Sequence, residues 1–112
     1  MFIRCAFFEG KVRPGQEKTF HEFVSEKLVP LWTQFPGAEE VRVLSQKESD
    51  TESPHYAMVL SIKYPSMAAI ERALASDVRF KSRDVTGELI KMFDGRIFHT
   101  VFDLRHDVKL AD

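Results

Sequence analysis

A single cysteine, Cys5, is all that this chain of 112 residues contains. That excludes an internal disulfide framework and fits a reducing compartment. Equally missing is any apolar run near the ~18 residues that a transmembrane helix requires, so no membrane partner is expected. Residues 1–8 are apolar but broken by Arg4 and followed by Glu9-Gly10-Lys11. They offer neither an h-region nor a cleavage site, and a cytoplasmic location is the expectation. Excess charge of either sign is absent too. Sixteen basic and seventeen acidic residues leave a formal charge of −1, and their interspersion speaks against a nucleic-acid partner. The four histidines, His21, His55, His99 and His106, form no H-x-H, H-E-x-x-H or Cys/His cluster, so their spacing indicates no metal. Neither a Ser-His-Asp order nor a glycine-rich cofactor loop is present, and no cofactor is expected.

What is there describes one folded domain. Hydrophobic residues make up 44% and charged residues 29%, a globular composition in a chain too short for two cores. Residues 1–104 are read as that domain and 105–112 as a polar, loosely held tail.

The stretch at 95–104 is the most telling. Read as a strand, it carries Ile97, His99, Val101 and Asp103 on one side and Phe98, Thr100, Phe102 and Leu104 on the other. Both faces are largely apolar, so the strand asks for a covering layer on each. Residues 2–12 form another two-sided strand, with Phe2, Ile3, Cys5, Ala6, Phe7 and Phe8 spread across both faces. Pro14-Gly15 stops it. From 16 to 35, Phe20, Phe23, Val24, Leu28, Leu31, Trp32 and Phe35 make a helical stripe. Lys18 and Glu22 can pair weakly on its far side, and Pro30 should bend the last turn or end the regular part early.

A polar strand at 39–45 suits a sheet edge, and 46–54 is a solvated loop without phosphate-loop spacing. The next strand, 55–64, sets Tyr56, Met58, Leu60, Ile62 and Tyr64 against His55, Ala57, Val59, Ser61 and Lys63. Ser66 offers a helix start for Met67, Ile70 and Leu74. Ser76-Asp77 caps a second helical segment with Val85, Leu89, Met92 and Phe93 as its buried stripe, and Asp94-Gly95 is read as its end.

Strand, helix, strand, strand, helix, strand is the split βαβ order of an α+β, ferredoxin-like domain: a four-stranded antiparallel sheet with helices on one face. Its second face is left bare. Four large side chains kept wet there would forgo roughly 1.5–3 kcal/mol each, rivalling the ~5–15 kcal/mol stability of a whole domain. The chain has no further element to cover it, so the expected cover is a second copy of the same sheet, a homodimer about a two-fold axis.

These elements resemble a known group. The Pro-Gly pairs flanking the first helix, the short helix from Ser66 and the ending Phe93-Asp94-Gly95-Arg96-Ile97-Phe98-His99 are similar to the dimeric α/β-barrel superfamily. It includes antibiotic-biosynthesis monooxygenases, ethyl tert-butyl ether degradation (EthD) proteins and stress-responsive barrel proteins. The resemblance implies a sheet-to-sheet homodimer, a dimeric α/β barrel, with a small-molecule cavity between sheet and helices or in the barrel centre. It carries over no catalytic residue. Haem-degrading members use an asparagine on the first strand and a histidine on the last helical segment, and this chain has neither. The regulator branch carries a helix-turn-helix for which no residues are spare.

On the residues themselves, His99 is the leading catalytic candidate, because it interrupts an apolar strand face where an imidazole could move a proton or orient a bound phenol. The competing reading is a half-buried histidine with a satisfied hydrogen bond at the dimer interface. His21, on the flank of the first helix's stripe, is the second catalytic candidate, and otherwise borders the core. Arg4, Arg42, His55 and Trp32 are the ligand-binding candidates. The arginines could pair with an anion, although Arg42 also suits an edge or an inter-subunit ion pair, His55 a solvated strand start and Trp32 the core. Asp103 shares a face with His99 but lies roughly 13 Å along the strand, so the two are not a dyad. Cys5 is read as a small buried hydrophobe. Two functions follow: a cofactor-independent enzyme or catabolic accessory protein for an apolar or aromatic small molecule, and a non-catalytic stress-response binding protein.

Overall fold

The computed structural model describes residues 1–111. Its order is β1 (Phe2–Val12), a helix in three parts comprising α1 (Glu17–Phe23), a π-helical turn (Val24–Leu28) and α2 (Val29–Trp32), then β2 (Glu40–Leu44), β3 (Tyr56–Tyr64), α3 (Met67–Leu74), α4 (Asp77–Leu89), a 3-10 turn (Ile90–Met92) and β4 (Phe93–Asp103). The strands form one antiparallel sheet in the order β2-β3-β1-β4. The expected ferredoxin-like α+β architecture is what the chain adopts.

Local chemistry explains the helices. Ser66 and Ser76 are N-caps in extended conformation, their hydroxyls accepting from the Ala69 and Arg79 amides. Pro30 ends the regular part of the helix early, at Phe23, although helical turns run on to Trp32. It lacks the N–H that would reach the Glu26 carbonyl, and the helix widens just before it, the Val29 N–H bonding to the Val24 carbonyl five residues back. This has a packing consequence. Phe20, Val24, Leu28 and Trp32 are all buried at a spacing of four, which drifts by about 40° per step in a regular α-helix. The wider turn opposes that drift and keeps them on the sheet.

Those four side chains meet Phe8, Met58, Leu60, Ile62 and Tyr64, and Ala69, Ile70, Ala73 and Leu89 close the same core. Pairing register sorts the strands. On the helix side lie Arg4, Ala6 and Phe8 with Ile62, Leu60 and Met58, and with Val101, His99 and Ile97. On the open side lie three cross-strand rows: Leu44-Val59-Phe7-Phe98, Arg42-Ser61-Cys5-Thr100 and Glu40-Lys63-Ile3-Phe102.

β4 is a sheet edge beside β1, and much of it is exposed in the single chain. Two expectations need correction. Gly95 does not end a helix. It sits in β4 opposite Gly10, where a Cβ on either glycine would lie about 2 Å from the facing backbone carbonyl (2.1 Å from Asp94 O for Gly10, 2.0 Å from Glu9 O for Gly95). Glycine is there because two backbones approach closely. Finally, Tyr56 leaves the face of Met58 and Leu60, because a bulge opposite Phe8 and Glu9 slips the register by one. Its ring instead lies 5.6 Å from Phe7. Beyond β4, residues 104–111 have no helix or strand, and Asp107 is held by Lys63 at 3.2 Å.

Candidate functional site

Between the helix side of the sheet and α4 lies a cavity of about 380 Å³, a volume in the range of small-molecule sites. Its inner walls are apolar: Ala6 and Phe8 of β1, Leu60 and Ile62 of β3, Trp32 and Phe35 from the long helix and the segment after it, and Ile97 of β4. Its other end is polar. Arg4 of β1 and His99 of β4 rise from neighbouring strands, and α4 supplies Arg79, Ser82, Arg83 and Thr86. These helical positions are three or four apart, so they share one face.

Charge at this end is one-sided. Three guanidinium groups line the cavity and no carboxylate does. Among the described residues none of the three makes an ion pair. The Arg4 guanidinium is pulled below its ordinary value, first by burial and then by the charge of Arg79, with Tyr64 opposing. Burial pushes the Tyr64 hydroxyl up, and Arg4 draws it partly back. His99 is lowered to about 4, first by desolvation and then by Arg4 and Arg79. Because His99 is exposed in the single chain, water screens part of this effect. Desolvation first, and then the two cations beside the ring, favour the neutral imidazole.

The residues read from the sequence fall in three places. Arg4, Trp32 and His99 meet in the cavity. His21 and His55 do not reach it; they line a second cleft with Lys11, Glu17, Gln46 and Tyr56. There His55 Nδ1 donates to the Gly10 carbonyl at 2.8 Å, which ties it into the backbone. Arg42 lies on the open side of the edge strand β2, 3.3 Å from Glu40. Among the described residues, no three His, Cys, Asp or Glu side chains gather closely enough to hold a metal ion. Cys5 is buried, and burial raises its thiol while Ser61 partly offsets this, so it is a poor nucleophile.

Arg79, Ser82, Arg83 and Thr86 were not singled out in the sequence. Their signal is an i, i+3, i+4, i+7 spacing beside the stripe of Val78, Val85 and Leu89 that packs on the core. Gly87 belongs with them: it lines the cavity, and a Cβ added there would meet nothing within 4 Å.

No protein-family model and no curated protein matches the sequence. Solved structures do match the fold. An EthD family protein from Bacillus halodurans superposes with a TM-score of 0.67 at 14% identity, covering 92% of this chain and 98% of that one. A variant of SnoaB, a cofactor-independent oxygenase from Streptomyces nogalater, gives 0.67 at 16% identity, with 96% of each chain covered. An antibiotic biosynthesis monooxygenase gives 0.62 at 16%, covering 92% and 97%. The chain thus has the ferredoxin-like α+β fold of EthD and antibiotic biosynthesis monooxygenase structures.

Proposed function

We propose that this chain is a small-molecule-binding protein whose ligand, apolar or aromatic, sits in the cavity between the sheet and α4, and that it works as a homodimer through the open sheet face. The observation that carries the reading is the cavity itself: an apolar chamber of about 380 Å³ with a convergent polar end. Support for the dimer comes from surface area. A 12.9 kDa chain is expected to expose about 6300 Å², and this one exposes 7530 Å². Part of the excess is the extended tail, where Val108 and Leu110 are exposed; part is the open face, where Leu44 and Phe102 are.

The catalytic extension of this reading is monooxygenase-type turnover without a cofactor, with His99 facing the bound molecule. A ring that titrates near 4 accepts a hydrogen bond at pH 7 but is a weak base until its surroundings change. His21, in the other cleft, takes no part.

Trp32 is the only tryptophan in the chain and lines the cavity, so its emission reports occupancy directly. Titration with 1-naphthol should give a saturable change in Trp32 emission, and Gly87→Leu, which fills open space beside the cavity, should remove it. A wild-type response that persists in the filled variant would place binding elsewhere. Oxygen uptake with the bound naphthol, lost in His99→Ala, would establish turnover; its absence would leave a binding protein.

A further inference from the structure

We infer that the cavity's ligand carries a carboxylate on its apolar body, and that Arg4 and Arg79, with Arg83 at the rim, are the groups that receive it. This deepens the binding reading just given and rests on the cavity being the ligand site.

The polar end of the cavity has cations and no acid. Arginine is seldom left without a partner away from bulk water, because a desolvated charge is costly unless it is compensated. Arg4 is partly buried in β1, the strand that runs between β3 and β4, with Ile62 and Val101 as its cross-strand neighbours. Arg79 is partly buried on α4 and donates to the Leu74 carbonyl at 3.3 Å, a neutral acceptor that leaves its charge in place. These two residues come from opposite walls, sheet and helix, and converge on one cavity. The acidic residue nearest in register, Asp103 of β4, is exposed and makes no ion pair with Arg4 among the described residues.

An arginine whose only role is solubility sits on an outer helix face, as Lys81 does on this same helix. Arg79 instead shares the inner face with buried Ser82. A planar carboxylate between the two guanidinium groups would accept paired charge-assisted hydrogen bonds that neither now makes with an acid. Ser82 and Thr86 hydroxyls already donate to the Arg79 and Ser82 carbonyls within the helix, so they are less free to recognise a ligand. The same positive charges repel a metal cation. A buried aromatic acid satisfies both halves of the cavity, with its ring against Trp32, Phe8 and Ile62 and its head between the arginines.

The test is calorimetric titration of the full chain with 2-naphthoate and its neutral counterpart 2-naphthamide, at one salt concentration. The carboxylate should bind at least about tenfold more tightly. Arg79→Gln and Arg4→Gln should each weaken the carboxylate about tenfold and leave the amide unchanged, whereas Lys81→Gln should alter neither. Arg79→Gln is the decisive variant if Arg4→Gln disturbs β1. Equal binding of the two compounds, or a carboxylate preference that survives Arg79→Gln, overturns the inference and leaves the cavity reading intact. If neither compound binds, the cavity reading itself falls and the inference falls with it.

Discussion

Truncating Phe102 to alanine probes the open sheet face without touching the cavity. Phe102 is 47% exposed in the single chain, pairs across the sheet with Ile3 and meets Phe7 edge-on at 6.4 Å. Full burial of a phenylalanine is worth roughly 1.5–3 kcal/mol, so about half of that, ~1 kcal/mol, remains to be gained when a partner covers it. A two-fold interface counts each residue twice, and ~2 kcal/mol corresponds to about thirtyfold in the dimer dissociation constant. Sedimentation velocity over a dilution series measures that constant, with a thermal scan to separate subunit unfolding from dissociation. Wild-type protein should sediment as a dimer, and Phe102→Ala should dissociate at about thirtyfold higher concentration. A wild type that is monomeric at tens of micromolar, or a variant with an unchanged constant, would refute the use of this face.

Gly87→Ala should raise stability by about 0.5–1 kcal/mol, because glycine is a poor residue inside a helix and nothing stands within 4 Å of the added methyl; a denaturant midpoint below wild type would contradict this. Gly95→Ala should lose on the order of 1–3 kcal/mol or more, since its φ of +158° and the Glu9 carbonyl 2.0 Å from the new Cβ force β1 and β4 apart; a thermal midpoint equal to wild type would sink the close-approach account. His99 is depressed to about 4, so between about pH 6.5 and 4 the unfolded chain binds its proton more readily than the folded one. Stability from this group is therefore complete above pH 6.5 and is lost as pH falls toward 4, and His99→Gln should flatten that slope in urea melts. An aromatic carboxylate bound to Arg4 and Arg79 neutralises the cations beside His99, so its NMR titration midpoint should rise on binding; a midpoint that stays near 4 would separate His99 from the arginines.

Much of the fold is legible because hydrophobic period and turn chemistry agree. The serine caps at Ser66 and Ser76, the stop at Pro14-Gly15 and the alternation of β3 from Met58 to Tyr64 are local, and each is where its own residues put it. The misreadings arise where a residue's role depends on something far away in sequence. Asp94-Gly95 is as good a helix end as it is a strand crossing, and only Gly10 opposite decides. Tyr56 changes face because one bulge cancels the alternation that its neighbours obey. At the site, Arg4 and His99 stand out because they interrupt apolar strands. Arg79, Ser82 and Arg83 do not, because a polar stripe on an amphipathic helix has the same spacing whether it faces water or a cavity.

Ligand is expected to enter the space between the sheet and α4. Backbone amide shift mapping during a 2-naphthoate titration tests it most directly. Saturable shifts should gather on residues that line the cavity, among them Arg4, Ala6, Ile62, Arg79, Thr86, Gly87 and His99. Shifts gathered instead on Lys11, His21 and His55 at the second cleft, or on Leu44, Val59 and Phe98 across the open face, would contradict it.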